Sequence, residues 1–415
     1  MSAPRTATSP TGATIGLPIT LGGPEFVADP QAHYAWLREN APVHAGRIAS
    51  LIEQDVWMVS RYADCKAVLT DDRFRRAPGG ESAMTAELPE HMRLLSIESL
   101  LYKDDPDHRR LRKLVVKPFT PRTIERLGER VVELAHGLLD DLEQQDTVDL
   151  REAFALPIPT TIISEMVGVD EADRGRFRRG MQALLGAEFG EESRNDEAKA
   201  LVDFVRELIA RRRGQPGEDI LTGLIQAEED GDRLADDELV AMVFVLIAAG
   251  YETTYNLITN AVVTLLDHPD QLARLRAAPG DEGLWRTAID EIVRYTGTVG
   301  GTEALTAAED VTWYDQTIPA GAIVIPILGA ANRDPAAFEQ PEVFDITRHP
   351  NNHIGFGHGV HFCLGANLAR METRVALGVL LERSPNLRLA LDRAELAFEP
   401  VPLLARYREL PVHLG

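Results

Sequence analysis

The sequence contains little cysteine and little positive charge relative to its acidity. Its 415 residues include two cysteines, Cys65 and Cys363, which excludes a disulfide framework and a four-cysteine metal site. A single bridge would be incidental in a chain of this length, so we expect a reducing compartment. Lys and Arg total 43 against 65 Asp and Glu, and the formal net charge of −22 argues against a general nucleic-acid binder.

Long apolar runs and targeting signals are also missing. Residues 1–22 are rich in Ser, Thr, Pro and Gly and lack the apolar run of a signal peptide, so we expect a flexible N-terminal segment there. The longest apolar stretch, 239–250, is too short to span a bilayer and is typical of a buried helix. We therefore expect a soluble, cytoplasmic protein that binds no membrane.

Helical periodicity dominates the rest of the chain. Apolar residues recur at three- and four-residue spacing over 127–142, 199–213 and 237–266. Strand-like segments are short. One lies at 56–59, and 311–313 and 322–325 are predicted to form a pair joined through turn residues at 315–316 and 319–321. Because no repeat or linker marks a boundary, the sequence predicts one mainly α domain with a small β portion over residues 23–415.

A glycine-rich segment, 355–365, carries the second cysteine. Three glycines within five residues indicate a backbone that turns sharply or lies close against a flat group. Apolar spacing after Cys363 predicts a helix that ends before Pro385. Cys363 would then lie at a helix N-terminus, where the dipole favours thiolate. The alternatives are an inert buried cysteine, a catalytic cysteine that needs an oriented base, and a zinc site that needs three more ligands.

The long apolar helix contains a second candidate, Ala249-Gly250-Tyr251-Glu252-Thr253-Thr254. Ala249 and Thr253 are four residues apart and should share a face with Gly250, which leaves room for a flat group. The Thr253 hydroxyl is expected to bond back to the Ala249 carbonyl. The alternative is an ordinary buried helix with a satisfied threonine.

Two charged clusters complete the set. Glu291 and Arg294 share a helical face, a spacing typical of a surface pair when considered alone. His108 and Arg112 are i,i+4 neighbours on a helix that starts after Pro106. The surrounding basic residues, Arg109, Arg110, Lys113 and Lys117, are typical of a solvated face.

The chain resembles the cytochrome P-450 family. Phe356, Gly359, His361, Cys363 and Gly365 match that family's haem-binding loop, Phe-x-x-Gly-x-(His/Arg)-x-Cys-x-Gly. The resemblance implies the P-450 fold, haem b (iron protoporphyrin IX) as cofactor and the Cys363 thiolate as the metal ligand. It also implies that the other loop residues contact the cofactor.

The remaining clusters resemble further motifs of the same family. By this resemblance Ala249 and Gly250 adjoin the haem, while Glu252 and Thr253 organise protons and water for oxygen activation. His108 and Arg112 would pair with the haem propionates.

By the same resemblance, Glu291 and Arg294, completed by Arg348, are structural residues behind the haem loop. The basic residues 109, 110, 113 and 117 would border the proximal haem face, where an acidic ferredoxin or flavodoxin docks.

These matches imply a soluble bacterial-type monooxygenase. Electrons from NAD(P)H would arrive through a ferredoxin or flavodoxin and its reductase, and one oxygen atom of O2 would enter a small, natural-product-like molecule. Pocket positions implied by the family are mostly apolar and lie at 88–100, 184–189, 242–249, 299–303 and 401–404. Alternatives are oxidative coupling or ring formation on the same haem, and a haem-thiolate scaffold that oxidises nothing. Glu252 and Thr253 argue against the scaffold.

One position departs from the family pattern. Many members carry a propionate-binding Arg six residues before the valine of a stretch like Glu309-Asp310-Val311, and here that position is Leu305. One hypothesis is that the vacated space serves the substrate, with Glu303 available to a cationic or hydroxylated group. The alternative is that Leu305 packs and Glu303 faces solvent or another side chain.

Overall fold

The protein is described from a computed structural model that covers residues 5–9, 12, 14–49, 54–76, 89, 91, 94, 100–116, 119, 121–142, 144–185, 191–227 and 233–415. Most of these residues lie in helices. In chain order the helices are α1 (Pro24–Ala28), α2 (Pro30–Asn40), α3 (Tyr62–Val68), α4 (Asp107–Val115), α5 (Pro121–Leu142), α6 (Pro157–Val167), α7 (Arg174–Leu185), α8 (Glu191–Gly214), α9 (Ile220–Gln226), α10 (Asp236–Asp267), α11 (Pro269–Ala277), α12 (Glu282–Thr296), α13 (Leu328–Ala331) and α14 (Ala366–Arg383).

The strands are short and form four small sheets. They are β1 (Arg5–Thr8), β2 (Thr14–Leu17), β3 (Thr20–Leu21), β4 (Val43–Ile48), β5 (Gln54–Val59), β6 (Phe74–Arg75), β7 (Val148–Asp149), β8 (Leu305–Ala307), β9 (Val311–Trp313), β10 (Gln316–Ile318), β11 (Ile323–Pro326), β12 (Arg388–Leu389) and β13 (Pro411–His413). The main sheet has the order β3-β4-β5-β11-β8-β6, and a second sheet has the order β12-β13-β7. Hairpins β1-β2 and β9-β10 stand apart.

The predicted fold class is confirmed, and two details differ. The segment 311–313 pairs with Gln316–Ile318, whereas 323–326 lies in the main sheet beside β5 and β8, so the two predicted strands are not partners. The second detail is that part of the segment 1–22, whose flexibility stays a prediction, contains strands. Within its described part, β1 pairs with β2, and Ile15, Ile19 and Leu21 are buried in a small apolar cluster.

Helix α10 is the centre of the molecule. It packs against α6, α8, α12 and α14, and most of its apolar side chains belong to the largest core cluster. The helix is long and apolar enough to cross a membrane by length and composition, but 56% of its most apolar window is buried inside the protein. A core helix of a folded domain has this pattern.

A buried carboxylate connects α12 to the irregular chain that follows the sheets. Glu291 and Arg294 are both fully buried, and the Arg294 Nε and Nη2 atoms donate to the two Glu291 oxygens at 2.7 and 2.8 Å. Arg348 Nε donates to both oxygens at 3.1 Å. Arg294 Nη1 also donates to the carbonyl of Asn332 at 2.9 Å, and the Asn332 side chain accepts from Ile354 N–H at 2.8 Å. The ion pair predicted from α12 is therefore an interior one and fixes the chain just before the glycine-rich loop.

We expect Glu291→Gln to lower the free energy of unfolding by about 3–5 kcal/mol, because two buried guanidinium groups lose their counter-charge. Chemical denaturation followed by circular dichroism measures the effect. The control is Glu207→Gln, which removes the exposed partner of Arg176, 2.8 Å away, and should leave stability nearly unchanged. Equal losses in the two variants would contradict a structural role for this carboxylate.

Candidate active site

The glycine-rich loop presents Cys363 at the start of α14. Gly357 and Gly359 have φ of 77° and 73°, a left-handed conformation that favours glycine. A Cβ at Gly359 would also lie 2.9 Å from the carbonyl of Leu69. Cys363 N–H donates to the Phe356 carbonyl at 2.9 Å, which closes the loop. Arg370, on the first turns of α14, places its guanidinium 4.4 Å from the Phe356 ring centroid.

The Cys363 thiol is accessible, although it is closely surrounded by protein. Burial raises its pKa, whereas the N–H of Gly365 and the positive charges of Arg112 and Arg370 act in the opposite direction. Burial of the free thiol thus opposes the effect that the helix N-terminus is expected to have on it. Binding to a metal ion deprotonates such a thiol outright.

Two histidines and Arg112 meet next to this loop. The rings of His108, on α4, and His361, on the loop, have centroids 4.1 Å apart. Both ring nitrogens of His108 and Nε2 of His361 are buried and have no hydrogen-bond partner among the residues that the structure describes. Arg112 Nη2 donates to the Phe362 carbonyl at 2.7 Å and so joins α4 to the loop. The sequence predicted this grouping of His108, Arg112 and His361.

The electrostatics of this cluster favour a negatively charged occupant. The pKa of His361 is lowered to about 3, first by burial and then by the charges of Arg76, His108 and Arg112. The pKa of His108 is lowered by burial and by Arg112, against an opposing effect of Asp105, whose carboxylate stays 3.8 Å away. Cationic and neutral nitrogens thus lie close together, and the Asp105 carboxylate beside His108 is also bound by Arg109 at 2.7 Å.

Helix α10 has one face that the neighbouring helices leave uncovered, at Ala249 and Thr253, and we call it the open face. Ala249 is exposed midway along this largely buried helix, and the Thr253 hydroxyl donates to the Ala249 carbonyl at 2.6 Å. Gly250 lies elsewhere, since its missing side chain would approach Ile163 Cδ1 of α6 to 3.2 Å. The expectation that Gly250 shares the open face is therefore wrong, and the glycine instead permits close helix packing.

Glu252 is held by a residue that sequence reasoning missed. Its Oε1 atom accepts from Arg406 Nη1 at 2.7 Å, and Arg406 also binds Glu399. Burial raises the pKa of Glu252, and Arg406 opposes that shift. Arg406 lies 154 residues away in the chain and matches no motif, so no local pattern indicates this pairing.

The basic residues on α4 are less free than predicted. Arg109 pairs with Asp105 at 2.7 Å, and Arg110 pairs with Glu238 at the start of α10. Lys113 is exposed, and Lys117 lies outside the described residues. The charge available for docking on the described part of this surface is therefore smaller than the sequence indicates.

Leu305 stands where many members of the family have a propionate-binding Arg, and it is buried in β8 within an apolar cluster. Glu303 is exposed, and its Oε2 atom accepts from the Tyr102 hydroxyl at 3.3 Å. The structure therefore agrees with the alternative in which Leu305 packs and Glu303 faces another side chain.

A cavity of about 300 Å³ lies between the C-terminal half of α10, α1, α2 and the chain near residue 400. Gly300, Val401, Leu403 and Leu404, from the predicted substrate positions, line it, but Cys363 does not. The predicted positions at 88 and 186–189, and most of those at 89–100, lie outside the described residues.

Comparison with known proteins decides the family. The family model described as Cytochrome P-450 matches residues 190–279 and 283–384. Cytochrome P-450 107B1 of Saccharopolyspora erythraea is 43% identical over 396 residues, covering 94% of this chain and 96% of that protein. The chain belongs to the cytochrome P-450 family.

Two further relatives agree along nearly the whole chain. The 6-deoxyerythronolide B hydroxylase of Saccharopolyspora erythraea is 39% identical, covering 94% of this chain and 97% of that protein. The solved structure of the Bacillus subtilis bacillaene polyketide synthase cytochrome P-450, PksS, superposes with a TM-score of 0.88 at 36% identity, covering 95% and 99%. The chain is accordingly a P-450 monooxygenase, and the family implies a haem-thiolate cofactor.

The residues of this P-450 fit that cofactor. The position beside Gly365, where a Cβ would stand, has nothing within 4 Å, so the protein's own packing does not require a glycine there. Three residues of this site are exposed in the protein alone and would be covered by a bound group: Ala249, Phe362 and Cys363. The orphaned nitrogens of His108 and His361 supply donors for carboxylates. A flat, apolar group with acidic edges satisfies all three observations.

The link between Glu252 and Arg406 yields a pH-dependent prediction. In Arg406→Gln the pKa of Glu252 should rise further, because the opposing positive charge is gone. At high pH the variant must bury an unpaired carboxylate, so its stability deficit relative to the wild type should grow as pH rises through the ionisation of Glu252. Thermal unfolding of both proteins across pH measures this deficit.

Arg406→Lys, which keeps the charge, is the control and should show a smaller pH dependence. A deficit of Arg406→Gln that is the same at every pH would show that Arg406 acts through packing alone.

Proposed function

We propose that this P-450 inserts one oxygen atom from O2 into a polyketide-type natural product in the cytoplasm, with electrons supplied from NAD(P)H by separate redox proteins. The observation that carries the proposal is the accessible Cys363 thiol, on a loop that leads into α14, combined with the open Ala249–Thr253 face of α10, against which α14 packs. Together they provide a ligand for iron and a polar group where oxygen is handled.

Each predicted residue has a task in this proposal. Cys363 ligates the iron, while Phe356 and Gly365 shape the loop around the thiolate. The propionates are held by both ring nitrogens of His108 and by Nε2 of His361, which have no other partner among the described residues. Arg112, whose guanidinium also donates to the loop, holds them as well. Ala249 leaves space beside the plane of the cofactor, and Gly250 sets how closely α10 approaches α6.

Thr253 and Glu252 handle protons. The bound haem supplies the redox-active iron at which dioxygen is cleaved, with a thiolate ligand that favours O–O cleavage. The Thr253 hydroxyl lies on the open face and holds a position from which it donates or accepts through water. Glu252, with its pKa raised by burial, retains a proton at higher pH than a free carboxyl group and can pass it on.

The substrate class is inferred from relatives and lining. Two similar proteins are named for polyketide chemistry, as a 6-deoxyerythronolide B hydroxylase and as a polyketide synthase P-450. The open part of α10 is lined by partly exposed Phe244, Val245, Leu246 and Ala248, which suit a largely apolar molecule. We propose a ferredoxin or flavodoxin with its reductase as the electron source, since the exposed Lys113 offers an acidic carrier a positive contact.

Thiolate ligation is tested by spectroscopy. Reduced protein treated with carbon monoxide should show the strongly red-shifted Soret band of a haem-thiolate protein, and Cys363→Ala should abolish it. Cys65→Ala is the matched control, because Cys65 is buried and its thiol donates to the Val59 carbonyl at 3.1 Å. A histidine-like band in the wild type would overturn the ligand assignment.

The role of Thr253 is tested by coupling. Thr253→Ala should bind haem and substrate yet divert most reducing equivalents to peroxide or water, because ordered proton delivery is lost. Thr259→Ala is the control, since it deletes a buried hydroxyl of the same helix that donates to Asn256 at 3.0 Å. The measurement is the ratio of product to NADPH consumed, with 18O2 to trace the inserted atom. Unchanged coupling would remove Thr253 from the mechanism, and product without label would favour oxidative coupling.

A further inference from the structure

Arg76 is buried, and only part of its guanidinium group forms hydrogen bonds with the described residues. The residue is 7% exposed, and its Nε atom has no hydrogen-bond partner within the described part of the chain. Nη1 makes a long hydrogen bond of 3.4 Å to the carbonyl of Glu303, and the backbone N–H donates to Asp104 Oδ1 at 3.1 Å. No sequence motif includes this arginine.

Strand pairing places Arg76 across from the departing position. Phe74 pairs with Ala307 and Arg75 pairs with Thr306 in the antiparallel contact between β6 and β8. The same register, continued by one residue, sets Arg76 opposite Leu305. Directly opposed residues of an antiparallel pair project to the same face of the sheet. Arg76 therefore brings a guanidinium to the face on which a basic residue at 305 would have stood.

The acidic residues nearby do not neutralise Arg76. Glu303 places its carboxylate on Tyr102, and Asp105 binds Arg109, while Asp104 receives the Arg76 backbone N–H. None of the described carboxylates lies within ion-pair distance of the Arg76 side chain. Glu303 and Asp104 act on the charge of Arg76 from a distance, but burial still lowers the pKa of this guanidinium. A further anion bound to it would reduce the cost of burying its charge.

Arg76 lies near the two histidines, His108 and His361. Asp104 joins Arg76 to the start of α4, because its Oδ1 atom accepts from the Arg76 N–H at 3.1 Å and its carbonyl accepts from the His108 N–H at 2.9 Å. The His108 ring in turn lies 4.1 Å from the His361 ring, centroid to centroid. Arg76 therefore lies beside the group formed by His108, His361 and Arg112, and reaches it from the end of β6. A group with two carboxylates requires this kind of distributed donor set.

We propose that Arg76 binds a haem propionate and replaces, from the neighbouring strand, the cation that is absent at Leu305. The proposal rests on the haem site of the proposed function. It assigns to Arg76 a charge-assisted hydrogen bond that anchors the cofactor edge nearest the sheet.

The test is the rate of haem loss from the holoenzyme to excess apomyoglobin. Arg76→Gln should lose haem roughly 10- to 150-fold faster than the wild type, the factor that corresponds to one charge-assisted hydrogen bond. Arg75→Gln is the matched control, because the neighbouring side chain bonds only to the Asp72 carbonyl and is exposed. It should lose haem at the wild-type rate.

Reconstitution with the dimethyl ester of haem separates a propionate contact from a structural effect. The ester lacks the propionate charges, so the difference between wild type and Arg76→Gln should nearly vanish with it. A difference of equal size with haem and with the ester would overturn the proposal. If Arg76→Gln does not fold, Arg76→Lys is measured in the same way, with a smaller acceleration expected for haem and none for the ester.

The two levels of inference fail differently. Protein that binds no haem, or that lacks the thiolate spectrum, contradicts the proposed function itself. Protein with a normal thiolate spectrum in which Arg76→Gln and Arg75→Gln lose haem equally slowly contradicts the role of Arg76 alone.

Discussion

The buried carboxylate of Glu291 is the interaction on which the site depends. Its two oxygens receive the guanidinium groups of Arg294 and Arg348, the Asp345 N–H and the Asn351 amide. The two arginines also donate hydrogen bonds to main-chain carbonyls at 332, 339–341 and 343. Irregular backbone in an interior needs such donors, because no sheet or helix supplies them. The chain that leads to the Cys363 loop is thereby fixed by charge and hydrogen bonds as well as by the buried side chains of Phe344, Ile346 and Ile354.

A different rule governs the residues around the cofactor site. In the Glu291 cluster nearly every donor meets an acceptor, whereas His108, His361 and Arg76 keep buried nitrogens without one. Buried polar groups in folded proteins are usually satisfied, so a concentration of orphans marks a place completed by something other than the chain. The hydrogen-bonded frame around Glu291 supports the incomplete site. This is preorganisation, with the ordering of donors already present in the polypeptide.

Sequence reasoning was strong where the signal is local. The long helices follow from apolar spacing, and the Cys363 loop, Thr253 and the Glu291–Arg294 pair follow from motifs a few residues long. It was weak where partners come from distant segments. Neither Arg406 nor Arg76 belongs to a motif, because each acquires its meaning from a contact more than 150 residues away. The direction of Gly250 was misjudged since one residue of helical rotation, about 100°, turns it from the open face to α6.

The contact between β6 and β8 has a consequence for how such proteins diverge. Two opposed positions on neighbouring strands deliver side chains to one place, so a charge can pass from one to the other while the place it serves stays occupied. Position 305 is then free to become leucine and to join the apolar cluster with Phe74 and Val324. Functional equivalence in this region is thus a property of the strand pair.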